Sequence, residues 1–287
     1  MRTLGWTILW ISAAQTIVSV GPVSADVGEL KSFVAKKAGI VELLHNKAER
    51  ALVTSAQDQS YRRYFEAKTD EERARLRQRI DHIGLAVQNQ FAVEEMCLID
   101  ESGTEISRIV RREIAYDLST EEASANFFAP SFATAPRTVY LAPIYMSPDV
   151  HRWVTAYATP IDVNGKKKAI LHYEHGLDFY GDLLNAGLAA GDKRVLLTVT
   201  SDGWVIFDSR KEISIEQTGE SEEPADYFDQ MSIGGLTLQD IEHTLGGGKN
   251  EGSGAATGSD GAKYDVAFKT LGDWTLVAFE PGGDKPI

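Results

Sequence analysis

The sequence predicts an α+β protein in which a long N-terminal helical region precedes two similar units, each built on an antiparallel sheet. Residues 26–93 contain no proline and few glycines, and their apolar side chains recur at intervals of three and four, which indicates helix. From Met96 onward apolar and polar residues alternate, which indicates strands. A strand–turn–strand pattern around Gly103 recurs around Gly203, 100 residues later, and such self-similarity indicates a repeated unit.

The first 25 residues form a predicted export signal. They carry one charge, Arg2, followed by an apolar run over residues 4–20 and by small residues at Val23 and Ala25. This arrangement is typical of a secretory signal cleaved after Ala25, so we expect a periplasmic protein. The alternative is a retained N-terminal anchor, since the run is about long enough to span a membrane.

Charge and cysteine content restrict the classes of partner. Without the signal the chain has 28 basic and 42 acidic side chains, a net charge of 28 − 42 = −14. Such a chain is poorly suited to nucleic acid or anionic lipid. The single cysteine, Cys97, lies between Met96 and Leu98 and is expected to be a buried thiol. The sequence contains no pattern that predicts a cofactor. It also contains no arrangement of a nucleophile and a base that would predict an enzyme.

The helical region is assigned to residues 26–93 and is expected to hold more than one helix. Its apolar stripe runs continuously as far as Ala56, so the first helix must lie across an apolar surface. A second helical run starts near Thr69, with Glu72 three residues later. This spacing is typical of a helix N-cap.

The first sheet unit is assigned to residues 94–190. Within it, residues 152–174 read as two strands joined at Asn164-Gly165, a dipeptide that favours a two-residue hairpin turn. Counting outward from that turn places Tyr157 opposite His172. The two strands should therefore form one long hairpin with defined faces.

Side-chain alternation predicts one amphipathic face on this hairpin. If Tyr157 lies opposite His172, these two side chains share a face with Trp153 and Glu174. An aromatic-rich segment, residues 111–150, is available to cover that face. We therefore expect a ligand cavity, the alternative being a solvent-exposed sheet face. No metal site is predicted here, since only two suitable side chains converge locally.

The second sheet unit is assigned to residues 191–287. It opens with the strand–turn–strand pattern around Gly203 and closes with a hairpin that turns at Gly272. Between these lies a glycine-rich segment, residues 245–262, which we expect to be a flexible loop.

Several motifs in order resemble the double Cache extracytoplasmic sensor domains, which combine a long N-terminal helix with two PAS-like units. In chain order they are IDESGTEISRI, ANFFAPSF, VYLAPIY, NGKKKAILHYE, SDGWVIFDS and GDWTLVAFE. The resemblance covers most of the chain after residue 25. It implies that a small molecule, an amino acid, carboxylate or amine, binds in the first unit under loops that close over the sheet.

The resemblance also implies particular ligand-contacting positions. The acidic residue that ends the pocket strand falls on Glu174, and the aromatic residue of VYLAPIY falls on Tyr145. Amino-acid-binding members have a pattern similar to Arg-x-Trp-Tyr where residues 126–128 read Asn-Phe-Phe. The missing arginine leaves Arg108 or Arg152 to take its place. The expected ligand-binding residues are Glu174, Tyr157, Tyr145, Trp153, His172, Asn126, Phe128 and Arg108.

These observations predict a binding function. A carboxylate at Glu174 among aromatic rings suits an amine through charge-assisted hydrogen bonds and cation–π contacts. We expect a sensor module that passes ligand occupancy to a separate membrane kinase, chemoreceptor or cyclase, with a homodimer formed through the long helix. The ending PGGDKPI, without a transmitter segment, favours a stand-alone exported module. The alternatives are a scavenging or accessory binding protein without a signalling role, and an enzyme.

Overall fold

The N-terminal part of the protein forms three helices. The computed structural model describes residues 25–90, 93–188, 192–211 and 223–282, so nearly all of the predicted export signal lies outside the described residues. The helices are α1 (Ala25–Ala56), α2 (Gln59–Glu66) and α3 (Asp70–Gln88). The Thr69 side chain accepts a hydrogen bond from the Glu72 N–H at 3.2 Å, which confirms the predicted N-cap. None of the helices in these ranges is long and apolar enough to cross a membrane.

The first sheet is antiparallel and seven-stranded. Its strands are β1 (Glu95–Asp100), β2 (Glu105–Val110), β3 (Glu113–Ile114), β4 (Tyr140–Leu141), β5 (Tyr145–Ser147), β6 (Arg152–Val163) and β7 (Lys166–Gly176). They lie in the order β3-β2-β1-β7-β6-β4, and β5 also pairs with β6. Two helices accompany this sheet, α4 (Phe128–Ala133) and α5 (Leu177–Asn185).

The second sheet is antiparallel and five-stranded, with the closing hairpin at its centre. Its strands are β8 (Val195–Thr200), β9 (Val205–Asp208), β10 (Glu251–Thr257), β11 (Lys263–Leu271) and β12 (Trp274–Pro281), in the order β10-β11-β12-β8-β9. A short helix, α6 (Leu238–Ile241), runs into one π-helical turn, Glu242–Gly246. The α+β prediction of a long helix followed by two antiparallel sheets is confirmed.

Helix α1 packs against both sheets. Leu30 in its first half lies in one buried cluster with Leu276 of the second sheet. Leu52, in the last turns of α1, lies in a second buried cluster with Tyr173 of the first sheet. Burying each leucine stabilises the fold by about 1.5–3 kcal/mol. The apolar stripe seen in the sequence therefore joins the two units through one rigid element.

The long hairpin of the first sheet turns where predicted but contains an extra residue. Asn164 and Gly165 have φ angles of +55° and +79°, the left-handed pair that a type I′ turn requires. The pairing of the strands shifts by one residue between Ile161 and Asp162. Lys168 is the additional residue on the opposite strand, so the hairpin contains a β-bulge.

The bulge changes which side chains share a face. Tyr157 lies opposite Tyr173 and packs with it on the side of the helices. His172 and Glu174 project from the other side. The predicted grouping of Tyr157 with His172 and Glu174 is therefore wrong, because one extra residue moves a strand's side chains to the opposite face.

The glycine-rich segment is also more regular than expected. Instead of a flexible loop it contains β10, which pairs with β11 along its whole length. A Cβ on Gly252 would lie 2.4 Å from the Leu245 carbonyl oxygen and 2.7 Å from the Phe268 ring. The missing side chain therefore allows close packing of this edge strand.

Candidate functional site

The first sheet carries a cavity of about 640 Å³ on the face that points away from α1. Its floor is formed by alternate residues of β1 and β7, namely Glu95, Cys97, His172 and Glu174. Cys97 lies opposite His172, and Glu95 lies opposite Glu174. Because alternate side chains of paired strands project to the same side, these four groups face the same space.

Two segments cover this floor, residues 119–127 and residues 144–149, and both contribute cavity-lining side chains. The Phe127 ring stacks on the His172 imidazole, with centroids 4.0 Å apart and planes inclined by 21°. A Cβ on Gly103 would lie 2.4 Å from the backbone nitrogen of Ala123. The turn at Gly103 thus packs tightly against the cover.

Tyr145 connects the cover to the floor through its hydroxyl group. It donates a hydrogen bond of 2.5 Å to Glu174 Oε1, and its oxygen lies 3.0 Å from His172 Nε2. The neutral imidazole can donate its Nε2 hydrogen to that oxygen. Glu174 Oε2 has no hydrogen-bond partner within the described residues. One carboxylate oxygen is therefore fixed by the protein, and the other remains available to a ligand.

Burial controls the ionisation of the floor. It raises the pKa of Glu174 to about 7, although the Tyr145 hydrogen bond and the nearby Ser147 hydroxyl act in the opposite direction. Burial also raises the pKa of Glu95 well above its ordinary value, reinforced by the charge of Glu174. The pKa of His172 is lowered to about 3 by burial, so its imidazole is neutral at pH 7. A bound cation would favour the ionised carboxylates.

Arg108, a buried arginine beside the cavity, is already paired. The Arg108 guanidinium lies 2.8 Å from Asp117, 2.9 Å from Asp149 and 3.6 Å from Glu105. Its side chain is 6% exposed, and it is not among the residues that line the cavity. No lysine or arginine lines the cavity within the described part of the chain. The cavity wall is therefore acidic and aromatic.

The structure separates the predicted site residues into two groups. Lining the cavity are Glu174, Tyr145, His172, Asn126 and Trp153. Trp153 lies at the border of the cavity. The centroid of its ring is 5.5 Å from that of Tyr227 and 4.9 Å from that of Phe228, both in the second unit.

Three predicted residues do not line the cavity. Tyr157 faces the helices because of the bulge, and its hydroxyl hydrogen-bonds Tyr180 at 2.5 Å. Phe128 is buried behind the cover, because the helix that starts there turns Phe127 toward the imidazole instead. The Arg108 guanidinium is directed to its acidic partners.

Sequence reasoning missed Glu95, Glu105, Cys97 and Phe127 as lining residues. Glu95 begins β1 and alternates with Cys97, so the two-residue period is the signal that could have placed both side chains on one face. Glu105 is brought to the same face by a second register shift, between Leu98 and Ile99. That shift has no evident mark in the sequence.

Comparison with known proteins identifies the fold. No family model matches the chain, and no curated protein is significantly similar to it in sequence. The sensory domain of the Campylobacter jejuni chemoreceptor Tlp3 with bound isoleucine superposes with a TM-score of 0.67 at 11% identity, covering 90% of this chain and 93% of that one. The chain has the double Cache fold.

Two further solved structures support this fold assignment. The extracellular domain of the histidine kinase vpHK1S-Z8 gives a TM-score of 0.64 at 13% identity, covering 91% of this chain and 97% of that one. A domain of a sensory box/GGDEF family protein from Vibrio parahaemolyticus gives 0.65 at 14% identity, covering 90% and 97%. In double Cache terms, the cavity lies in the first of the two units.

Proposed function

We propose that this protein is an extracytoplasmic sensor module that binds a small amine in the cavity of its first unit. The observation that carries the proposal is the buried, acidic floor, where Glu95 Oε2 and Glu174 Oε2 have no hydrogen-bond partners among the described residues. Buried carboxylates are costly unless they are protonated or matched by a positive group. An ammonium ligand would supply the positive charge and the missing donors.

The aromatic wall supports the same class of ligand. The Phe127 and Tyr145 rings line the same cavity as Glu174, and their centroids are 5.7 Å apart. Aromatic faces attract cations, and the attraction strengthens away from water. Tlp3 structures contain isoleucine, L-valine or L-norvaline. No lysine or arginine of the described residues lines this cavity to pair with a ligand carboxylate, so we propose an amine without one as the preferred ligand.

Binding could be passed on through α1, which packs on both units. Trp153 at the border of the cavity also contacts Phe228 of the second unit. A change at the cavity would therefore reach the second sheet and α1 through packed side chains. We propose that the protein functions in the periplasm, that a membrane signalling protein receives this change, and that α1 supports a homodimer.

A binding role is also supported by the state of the cysteine. Burial raises the pKa of Cys97 well above its ordinary value, and the neighbouring Glu95 and Glu105 reinforce that effect. A thiol held in its neutral form is a poor nucleophile.

The test is a thermal-shift screen of the purified protein against polyamines, quaternary amines, amino acids and short carboxylates. Amines should give a saturable stabilisation. Glu174→Gln should weaken their binding by about 10- to 100-fold, because a charge-assisted hydrogen bond contributes about 1.5–3 kcal/mol. Glu113→Gln, at an exposed position on β3, is the matched control and should bind as the wild type does. A response to carboxylates alone, or equal amine binding by both variants, would contradict the proposal.

A further inference from the structure

Three side chains of the cavity floor and wall, next to Glu174, are suitable metal ligands. Cys97 Sγ is 2.9 Å from Glu95 Oε1 and 3.1 Å from Glu105 Oε1. The thiol and the two carboxylates are all buried, and one ligand atom from each lies within 4.8 Å of the others. We propose that Glu95, Cys97 and Glu105 form a binding site for a divalent metal ion of the zinc class. This site shares Glu95 with the proposed amine subsite, but Glu174 is not one of its three ligands.

The backbone explains why these three side chains converge. Glu95 and Cys97 are alternate residues of β1 and so share a face. On β2, Glu105 lies opposite Ile99 because the pairing shifts by one residue after Leu98. Ile99 is on the same face as Cys97, so the shift brings the Glu105 carboxylate beside the thiol. Two neighbouring strands therefore supply all three donors from a rigid sheet.

The charges of this cluster are incompletely matched by the protein. Arg108 Nη1 lies 3.6 Å from Glu105 Oε2, but the same guanidinium also pairs with Asp117 and Asp149. One positive group is thus shared among three acids, and Glu95 is left without a basic partner within 4 Å in the described residues. Buried carboxylates that lack a counter-charge favour uptake of a proton or a cation.

Glu174 adds a further acceptor beside the three donors. Glu174 is 3% exposed and pairs with Glu95 across the β1–β7 ladder. Its Oε2 and the Oε2 of Glu95 both lack hydrogen-bond partners in the part of the chain described here. Two buried, unsatisfied oxygens therefore face the same space as the thiol. They provide the acceptor-rich surroundings that a metal ion, or the water bound to it, requires.

The sulfur–oxygen separations are somewhat shorter than those of a tetrahedral zinc site. Zinc–sulfur and zinc–oxygen bonds of about 2.3 and 2.0–2.2 Å place tetrahedral donors about 3.4–3.6 Å apart. The two separations must therefore lengthen by about 0.3–0.7 Å, which side-chain rotation can supply. Glu105 is pre-oriented, because its Oε2 accepts a 2.7 Å hydrogen bond from the Ser119 N–H and leaves Oε1 toward the thiol. Such outer hydrogen bonds are typical of metal-ligating carboxylates.

The donor set also selects the metal. A thiolate with two carboxylates suits Zn²⁺ or Co²⁺, whereas Mg²⁺ and Ca²⁺ take oxygen ligands. Binding converts the Cys97 thiol into a metal-bound thiolate, and the thiol proton is released to solvent. Three protein ligands leave the fourth position open to the cavity, where water or a ligand atom can bind.

The experiment uses chelator-treated, full-length protein titrated with Co²⁺. A thiolate-to-cobalt charge-transfer band should grow to one equivalent in the near ultraviolet. Zn²⁺ should abolish it, and millimolar Mg²⁺ should not. Cobalt bound at surface histidines gives no thiolate band, so the band reports on Cys97 alone. Absence of the band from folded wild-type protein would overturn the proposal.

Two variants identify the ligands. Cys97→Ser should lose the band completely while its circular dichroism is unchanged. Glu105→Gln keeps the thiol and should weaken Co²⁺ affinity at least 10-fold, which makes the test independent of whether Cys97→Ser folds. Glu113→Gln should titrate as the wild type does. Unchanged affinity in Glu105→Gln would remove that residue from the site and contradict the assigned ligand set.

The outcomes also separate this inference from the amine proposal. Glu174→Gln should weaken amine binding by about 10- to 100-fold and retain the cobalt band. Amine binding without a cobalt band would reject the metal site and leave the proposed function intact. A cobalt band without amine binding would support the metal site and reject the proposed amine-binding function.

Discussion

The register of the long hairpin can be tested by removing a single hydroxyl group. Tyr157→Phe deletes the group that hydrogen-bonds His45 Nδ1 and, at 2.5 Å, the hydroxyl of Tyr180. Tyr157 and Tyr180 are both buried, at 0% and 3% exposure. The variant therefore leaves two buried polar groups without one of their partners, and the aromatic packing around them remains.

The expected loss follows from those two groups. A buried donor or acceptor left unsatisfied costs about 1–3 kcal/mol, and the deleted hydroxyl no longer has to be desolvated. We expect the free energy of unfolding to fall by about 2 kcal/mol. For a chain of this size, that change corresponds to a decrease in Tm of about 4–8 °C. Urea unfolding followed by circular dichroism gives the first quantity, and calorimetry gives the second.

The matched control is Tyr145→Phe, which removes a hydroxyl from the cavity side of the same sheet. It deletes the hydrogen bond to Glu174 and should weaken amine binding, whereas Tyr157→Phe should leave amine affinity within about twofold of wild type. If Tyr157→Phe instead abolished amine binding and left stability unchanged, Tyr157 would face the cavity. The register described above would then be wrong.

Three other predictions concern pH and local structure. Burial lowers the folded-state pKa of His45 to about 4 from 6.5. The contribution of His45 to stability should therefore fall as pH drops from about 6.5 to 4, by up to about 3 kcal/mol, and His45→Gln should reduce the slope of this part of the pH profile in urea unfolding. Gly103→Ala should destabilise more than Gly165→Ala: both positions have positive φ, but only at Gly103 would the new Cβ meet backbone, at Ala123. Equal losses of about 1 kcal/mol on urea unfolding would indicate backbone strain alone. Thr69→Ala removes the N-cap of α3 and should lower the free energy of unfolding by about 1 kcal/mol, measured by urea unfolding. An unchanged free energy of unfolding would mean that the cap does not contribute to stability.

The sequence predicted the architecture because its signals are local. The apolar stripe of α1, the Thr69 cap and the left-handed turn at Asn164-Gly165 each depend on residues close together in the chain. Each appears in the structure as expected. The order of these elements was also sufficient to indicate the double Cache fold.

The site was predicted only in part because it depends on register. Strand alternation and the resemblance both predict Glu174 in the cavity, the resemblance predicts Tyr145 there, and both residues line it. Tyr157 was placed by counting from the turn, and the count failed at Lys168. There the backbone carbonyl accepts a 3.1 Å hydrogen bond from the Glu101 N–H, and the ammonium lies 2.6 Å from the Glu101 carboxylate. These partners come from another strand connection, so the hairpin sequence alone contains no reason for the bulge.

The sequence by itself thus determined the helices, the two antiparallel sheets and the acidic character of the chain. Periodicity, turn residues and composition act over short distances, and they are visible in one dimension. Only the tertiary structure decided which carboxylates share a cavity. Glu95 and Glu174 meet because β1 and β7 pair in regular register, and Glu105 joins them through the one-residue shift after Leu98. The shift at Lys168 turns Tyr157 to the opposite face. In a sheet, a single extra residue reverses every side chain beyond it, and contacts between distant strands fix where that residue lies.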